Sequence, residues 1–370
     1  MIGDAKTFAR KLLRWYDRSR RDLPWRAARG RVAPVDPYHV LVSEAMLQQT
    51  QVATVVPYFN RFVERFASFE ALARADEQDV LRMWQGLGYY SRARNLRKAA
   101  RQVVGELGGA LPRDVEGLRA LPGVGRYTAG AVASIAFDCR APIVDGNVAR
   151  VLCRVDRIQS DPRQRATREV LWRRAEEVLP GRRCGDFNSA LMELGATVCT
   201  PRSPQCLSCP VRDHCEAFAA GTQEKIPPPR KAKPTPLLKR WTFCMESEGK
   251  LLIEQRPATG RWAGMWQFVT TEANDATSPA KTIEALLSVR IDDLRELGVV
   301  THALTHRRYE FEVFACQVAG EPARRDRRRT WASIQELNDY PLPRPHVKIA
   351  QMLMPVTPTG PARRVRAPRA

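Results

Sequence analysis

The sequence predicts a mainly helical domain over residues 1–221, followed by a smaller α+β domain over residues 241–354. Three observations carry this prediction. Apolar residues recur at helical spacing through the first part. Alternating strand patterns appear only in the second. Between the two, Thr222 to Arg240 holds five prolines, six Lys/Arg and one acid. Proline removes backbone donors and like charges repel, so this segment reads as a stiff basic linker.

Taken in order, residues 5–16 carry Phe8, Leu12, Trp15 and Tyr16 at helical spacing. Asp36-Pro37 supplies an N-cap acid and a proline at the first helical position. Residues 78–104 keep the helical period but break at Gly86-Leu87-Gly88. Val148, Val151, Leu152 and Val155 mark another helix. In the second part, Trp241 to Glu246 and Lys250 to Gln255 read as strands around a turn at Ser247-Glu248-Gly249. Ser278-Pro279 starts a helix running to about Val289. Tyr309 to Val318 alternates, with Tyr309, Phe311 and Val313 on one face. The Pro- and Arg-rich stretch from Pro355 to Ala370 reads as a disordered tail.

Composition narrows the function classes. Hydrophobic residues make up 44% of the chain and charged residues 27%, which excludes disorder throughout. No apolar run reaches the length of a membrane span. The start lacks a secretory profile, so a cytoplasmic protein is expected. Sixty Lys/Arg against forty Asp/Glu leave a net charge of +20. That favours a polyanionic partner, nucleic acid before an anionic membrane surface.

Four of the nine cysteines, Cys199, Cys206, Cys209 and Cys215, form C-x6-C-x2-C-x5-C. Average frequency would put roughly 0.4 cysteines in such a window. Four thiolates in one loop can wrap one centre, and spacing alone leaves zinc and iron–sulfur both open. Arg202 and Arg212 in the same loop could meet phosphates.

Leu121-Pro122-Gly123-Val124-Gly125-Arg126 makes a tight turn with free amides. If a helix starts at Arg126 or Tyr127, its positive end favours a phosphate. A simple interhelical turn is the ordinary alternative. Two acids stand out. Glu44 shares a helical face with Val40 and Leu47, so its pKa should rise, and a raised carboxyl can act as a general acid near neutral pH. Asp145 precedes Gly146-Asn147, where turn chemistry, with Asn147 capping the next helix, competes with a functional role. Arg150, Arg154 and Arg157 on that helix read as a basic stripe.

Together these motifs resemble MutY-type adenine DNA glycosylases of the helix–hairpin–helix superfamily. The resemblance covers most of residues 1–220. It rests on Leu23-Pro24-Trp25-Arg26, Ser43-Glu44 with Met46-Leu47-Gln48-Gln49-Thr50, Gly86-Leu87-Gly88-Tyr89-Tyr90, the glycine hairpin, Val144-Asp145-Gly146-Asn147-Val148 and the four cysteines. It implies two helical lobes with a DNA groove between them, and one 4Fe–4S cluster on the cysteines. Glu44 is implied as the acid that protonates adenine N7. Asp145 is implied as the carboxylate beside an oxocarbenium-like sugar, with Asn147 and Tyr127 in support. Trp25 and Arg26 are implied in the adenine pocket. DNA contacts fall to Gln48, Gln49, Thr50, Tyr89, Leu121, Gly123, Val124, Gly125 and Arg126, with Gln49 and Tyr89 at the wedge positions of base flipping. Endonuclease III-like relatives carry lysine where this chain has Tyr127, so a monofunctional glycosylase is expected.

The second domain resembles, more weakly, the Nudix-like domain of the same family, chiefly through Gly260-Arg261-Trp262-Ala263-Gly264-Met265-Trp266. Only scattered Glu272, Glu284 and Glu296 follow it, so Mg²⁺-dependent hydrolysis is not expected and damage recognition is implied. Leu304-Thr305-His306 stands where the family commonly has Phe-Ser-His, which places Thr305 and His306 at 8-oxoguanine. The expected partner is duplex DNA with adenine opposite 8-oxoguanine or guanine, bound by a monomer. The competing readings are an endonuclease III-like lyase on damaged pyrimidines, a non-catalytic iron–sulfur DNA-binding protein and a nucleotide pyrophosphatase. The stretch Ala27 to Val35 is longer than usual for the family.

Overall fold

The computed structural model describes residues 4–27, 35–229, 234–274, 276–304, 306–319 and 328–354. The chain divides into two compact units, residues 1–233 and 234–370. No described helix is long and apolar enough to cross a membrane.

Twelve helices build the first unit among its described residues. They are α1 (Ala5–Ser19), α2 (Pro37–Leu47), α3 (Val52–Arg65), α4 (Phe69–Arg74), α5 (Glu77–Met83), α6 (Ser91–Glu106), α7 (Val115–Arg119), α8 (Arg126–Phe137), α9 (Gly146–Val155), α10 (Arg165–Val178), α11 (Cys184–Thr197) and α12 (Glu216–Ala219). Local chemistry sets their starts. Asp4, Asp36, Ser68, Asp76, Asp114 and Asp145 each accept a backbone N–H in the first turn of the helix that follows. Packing sorts them into two lobes. In one, α2 to α6 surround Phe59, Phe62, Phe66, Phe69 and Trp84. In the other, α1 and α9 to α12 share a core with Phe8, Leu12, Leu152, Leu171 and Phe187. Helix α8, small and apolar along its length, packs against α2, α7 and α11, and so joins the lobes.

The second unit is a six-stranded mixed sheet with a helix on each face. Its strands are β1 (Leu237–Ser247), β2 (Lys250–Gln255), β3 (Trp266–Glu272), β4 (Arg290–Leu304), β5 (Arg307–Ala319) and β6 (Arg329–Ala332), in the order β4-β5-β1-β3-β2-β6. Among the described residues only β1 and β5 pair in parallel. Strand parity separates two cores. Tyr309, Phe311 and Val313 point into one, with Ile349 and Ala350 of α14 (Arg344–Leu353). Phe314, Cys316 and Val318 point into the other, with Ile283 and Leu287 of α13 (Pro279–Leu287).

Several expectations need correction. The segment read as a linker, 222–240, belongs to both units at its ends. Ile226 is buried in the helical core, and β1 starts at Leu237, which pairs with Arg308. An apolar residue inside a basic stretch had found a core, which its neighbours' charge concealed. Helix α13 ends at Leu287 because Ser288 turns left-handed. The tail from Pro355 and most of Ala27 to Val35 lie outside the described residues.

Candidate active site

A cleft of about 870 Å³ opens between α2, the start of α8, the 144–147 turn and α11. Glu44 lines it, on the third turn of α2, and is 4% exposed. Val40 and Leu47 share that lining, as the helical spacing predicts. Burial pushes the Glu44 carboxyl from its ordinary 4.5 up to about 7. A hydrogen bond with Tyr127 works against the rise and the charge of Asp145 adds to it. The Tyr127 hydroxyl also lies 3.1 Å from Met192 Sδ, and burial raises its own pKa well above 10.

Asp145 lies on the same cleft, just before α9. Contrary to the reading that gave Asn147 the cap, Asp145 itself caps the helix: Val148 N–H donates to Oδ1 at 2.7 Å. Asn147 Nδ2 donates to Oδ2 at 3.1 Å. Burial raises the Asp145 pKa, and these two donors oppose the rise. Both carboxylate oxygens are thus aimed by hydrogen bonds, and the capping and site-facing roles coexist in one side chain.

The basic stripe on α9 is also corrected. Arg150 Nη2 donates to Asn147 Oδ1 at 2.9 Å and to Gly195 O at 2.7 Å, while its Nε donates to Cys199 O at 2.8 Å. Arg154 is buried and donates to Ile226 O, Thr200 O and Pro201 O. Both guanidiniums tie α9 to the cysteine loop, and only Arg157 of the three is exposed. Gly195 makes this junction possible. A Cβ there would approach Asn147 Cβ to 2.6 Å, so a side chain would displace Asn147.

Trp25 and Arg26 stand on the cleft wall. Trp25 packs edge-on to Phe59. Arg26 donates to Glu193 Oε2 at 3.0 Å, and Arg21 donates to the same carboxylate through Nε at 2.6 Å. Burial alone would raise Glu193, but the bonds from Arg21 and the charge of Arg26 outweigh it and hold the pKa below the ordinary range. Sequence reasoning missed Glu193. Its signal was present, an acid inside the apolar run Leu191-Met192-Glu193-Leu194, the same pattern that singled out Glu44.

Gln48 Nε2 reaches Thr128 Oγ1 at 3.5 Å, and Thr50 Oγ1 donates to Gln48 O. Gln49 and Tyr89 are exposed and both left-handed, with φ of 57° and 46°. Non-glycine residues enter this region at a cost of about 1–2 kcal/mol each, so surrounding bonds must hold them there.

At the hairpin, Leu121 and Val124 point into the core, so the turn presents backbone and not their side chains. Gly123 has φ +79° and a Cβ would meet Asn95 at 2.6 Å. Helix α8 starts at Arg126, as expected, and its N-cap Gly125 offers no capping side chain. The Arg126 guanidinium lies 3.9 Å over the Trp172 ring and 3.6 Å from Glu169. In the second unit, Leu304 pairs with Arg307 where β4 meets β5, next to His306. His306 is exposed, and Thr305 lies outside the described residues. Glu272, Glu284 and Glu296 fall on β3, α13 and β4, so no helix gathers them.

Cys199, Cys206, Cys209 and Cys215 line one apolar cavity of about 30 Å³ together with Val151, Leu194 and Val211. None of the four is joined in a disulfide. Among the described residues no three His, Cys, Asp or Glu converge on a single metal ion. Four cysteines around one apolar cavity are a donor set that either a zinc ion or an iron–sulfur cluster accepts. Arg154 Nη1 donates to Cys199 Sγ at 3.3 Å, a bond that strengthens to a thiolate. A cluster held by these four cysteines would tie a loop with little regular structure to the lobe core. Cys209→Ser is therefore expected to lose the iron–sulfur absorbance and to lower the melting temperature by about 10 °C, given a loss of several kcal/mol in a domain of this size. Calorimetry beside the iron content checks it.

Comparison with known proteins agrees with this geometry. Residues 42–177 match the HhH-GPD superfamily of base excision DNA repair proteins, residues 199–215 the iron–sulfur binding domain of endonuclease III, and residues 240–352 the NUDIX domain. The chain is 40% identical to the adenine DNA glycosylase of Homo sapiens, over 86% of this chain and 68% of that one. It is 39% identical to that of Rattus norvegicus, over 86% and 72%. For the enzyme of Buchnera aphidicola (strain Sg) the identity is 30%, over 93% and 98%. A solved thermostable thymine-DNA glycosylase superposes with a TM-score of 0.52 at 32% identity, covering 58% of this chain and 97% of its own. The cysteine loop thus carries a 4Fe–4S cluster, and the chain belongs to the adenine DNA glycosylase family of base excision repair enzymes.

Proposed function

We propose that the enzyme is monofunctional and hydrolyses the N-glycosidic bond of adenine mispaired with 8-oxoguanine or guanine. The observation that carries this reading is Glu44, a carboxyl titrating near 7 on the wall of a cleft that also holds Asp145.

Adenine is a poor leaving group as an anion. The duplex first gives up the base, Gln49 and Tyr89 fill the gap, and the adenine enters beside Trp25 and Arg26. Glu44, whose pKa of about 7 leaves a large fraction protonated at neutral pH, donates to N7, so the C–N bond breaks and adenine leaves neutral. The sugar becomes positive at its anomeric carbon. Asp145, aimed by Val148 N–H and Asn147, stabilises that charge as an anion. Water then adds and leaves an abasic site. Tyr127 holds Glu44 by a hydrogen bond and has no amine with which to form a Schiff base. No lysine appears among the described residues lining the cleft. The amides opening α8 and the hairpin backbone offer a phosphate site that reads no sequence.

The net charge of +20 supports a polyanionic partner such as DNA; for a bacterial source the reading is a nucleoid-associated monomer in the cytoplasm. By the family resemblance we assign His306, beside the β4–β5 connection, and Thr305 to the base opposite adenine.

The test uses duplexes carrying adenine opposite 8-oxoguanine, guanine, thymine or cytosine, each analysed with and without alkali. Excision is expected opposite 8-oxoguanine and guanine, with strand breaks only after alkali. Breaks without alkali would contradict the monofunctional reading. Duplex binding without excision would leave an iron–sulfur DNA-binding protein.

A further inference from the structure

We infer that Arg92 is the positioning residue that locks the two intercalating loops, 48–50 and 87–89, into one unit, so that Gln49 and Tyr89 enter the duplex together. The inference rests on the wedge reading of those two side chains.

Arg92 is the second residue of α6 and is 8% exposed. One arm of its guanidinium, Nη1, donates to Ala45 O at 3.0 Å, Met46 O at 2.7 Å and Gln48 O at 2.6 Å. The other, Nη2, donates to Leu87 O at 3.2 Å, Gly88 O at 3.1 Å and Thr50 Oγ1 at 3.3 Å. The fork thus spans two loops about forty residues apart in sequence.

Two of these acceptors matter most. Gln48 O belongs to the peptide group that opens Gln49, and Gly88 O to the one that opens Tyr89. Those planes are one of the two references that define the φ of the residue that follows, so holding them restricts it. Gln49 and Tyr89 are the two left-handed residues of the wedge. The guanidinium also lies 5.4 Å from the Trp84 ring and 5.5 Å from the Tyr89 ring, so it supports the Tyr89 side chain as well as its backbone. Ala45 O and Met46 O are end carbonyls of α2, where a cation is favoured by the helix dipole. Burial lowers the pKa of Arg92 to about 10, which leaves it charged at neutral pH. Lysine would keep the charge but present one point where arginine presents a planar fork. It can hold one loop and not both.

Arg92→Lys tests this in the full-length protein with its cluster. Two substrates are compared under single-turnover conditions: adenine paired opposite 8-oxoguanine, and adenine facing an abasic-site analogue, where no base pair has to be broken. The expected result is a loss of about tenfold or more on the paired substrate and about twofold or less on the unpaired one. In a non-cleaving Glu44→Gln background, 2-aminopurine at the adenine position should lose most of its fluorescence rise on binding when Arg92→Lys is added. Equal losses on both substrates, or none on either, would overturn the inference. Gln49→Ala and Tyr89→Ala separate it from the reading beneath: if both leave paired excision unchanged, the wedge reading fails. If they impair it and Arg92→Lys does not, only the role of Arg92 fails. Should Arg92→Lys not fold, Thr50→Val removes a single acceptor from the fork. It should then show the same selective loss, smaller in size, and its absence would count against the proposal.

Discussion

Glu44→Gln lowers single-turnover adenine excision by about a thousandfold or more and leaves duplex affinity nearly unchanged, since general acid catalysis supplies about 10²–10⁴ in rate. The glutamine amide keeps the size of the carboxyl and a polar contact with Tyr127, but it has no proton to give N7. The same substitution also changes stability, with a sign that can be worked out. A carboxyl whose pKa rises to about 7 from an ordinary 4.5 on folding penalises the folded state as pH climbs through that window. By linkage the cost reaches about 3 kcal/mol above pH 7 and vanishes below pH 4.5. Glu44→Gln is therefore expected to melt higher than the parent at pH 8 and equally at pH 4. Thermal unfolding at the two pH values checks this beside the excision rates. A variant both inactive and less stable at pH 8 would point to a structural role for the acid.

Asp145→Asn gives the second large effect, a loss of about a thousandfold in excision with folding preserved. Asp145 both caps α9 and faces the cleft, and the two functions part at this substitution. Asparagine is as good a cap as aspartate, so the bond from Val148 N–H remains. What disappears is the negative charge that would face the cationic sugar, together with the second acceptor oxygen that takes the bond from Asn147 Nδ2. Asp145→Ala removes both, and should add a destabilisation of about 1 kcal/mol to the same kinetic loss. Rates and melting curves for the pair of variants distinguish a charge requirement from a capping requirement.

How far the sequence carried these conclusions depended on the reach of each interaction. Caps and breaks act within a few residues, so Asp36-Pro37, the Gly86-Leu87-Gly88 break and the start of α8 at Arg126 were legible. The apolar period around Glu44 disclosed a buried acid, and four clustered cysteines disclosed a centre. Side-chain forks that bond to distant carbonyls leave no local pattern. Arg150 and Arg154 read as a basic stripe and nothing in the sequence singled out Arg92, yet each binds backbone more than forty residues away. Ile226 was hidden by the charge of its neighbours. Glu193 was legible by the Glu44 argument, and the arginines that hold it ionised were not. The dual use of Asp145 required coordinates, because capping and site-facing geometry share one residue.

The pH dependence of excision at sub-saturating enzyme, which reads the groups of the free protein, tests the central claim most directly. Glu44 must carry its proton, so the rate on adenine opposite 8-oxoguanine should fall as pH rises through about 7. Asp145 must be ionised, so the rate should also fall in acid, with a midpoint above the ordinary 3.8 because burial raises it. The residual activity of Glu44→Gln should lack the alkaline limb. A rate that keeps rising above pH 7, or an alkaline limb that survives in Glu44→Gln, would contradict the assignment of Glu44 as the acid.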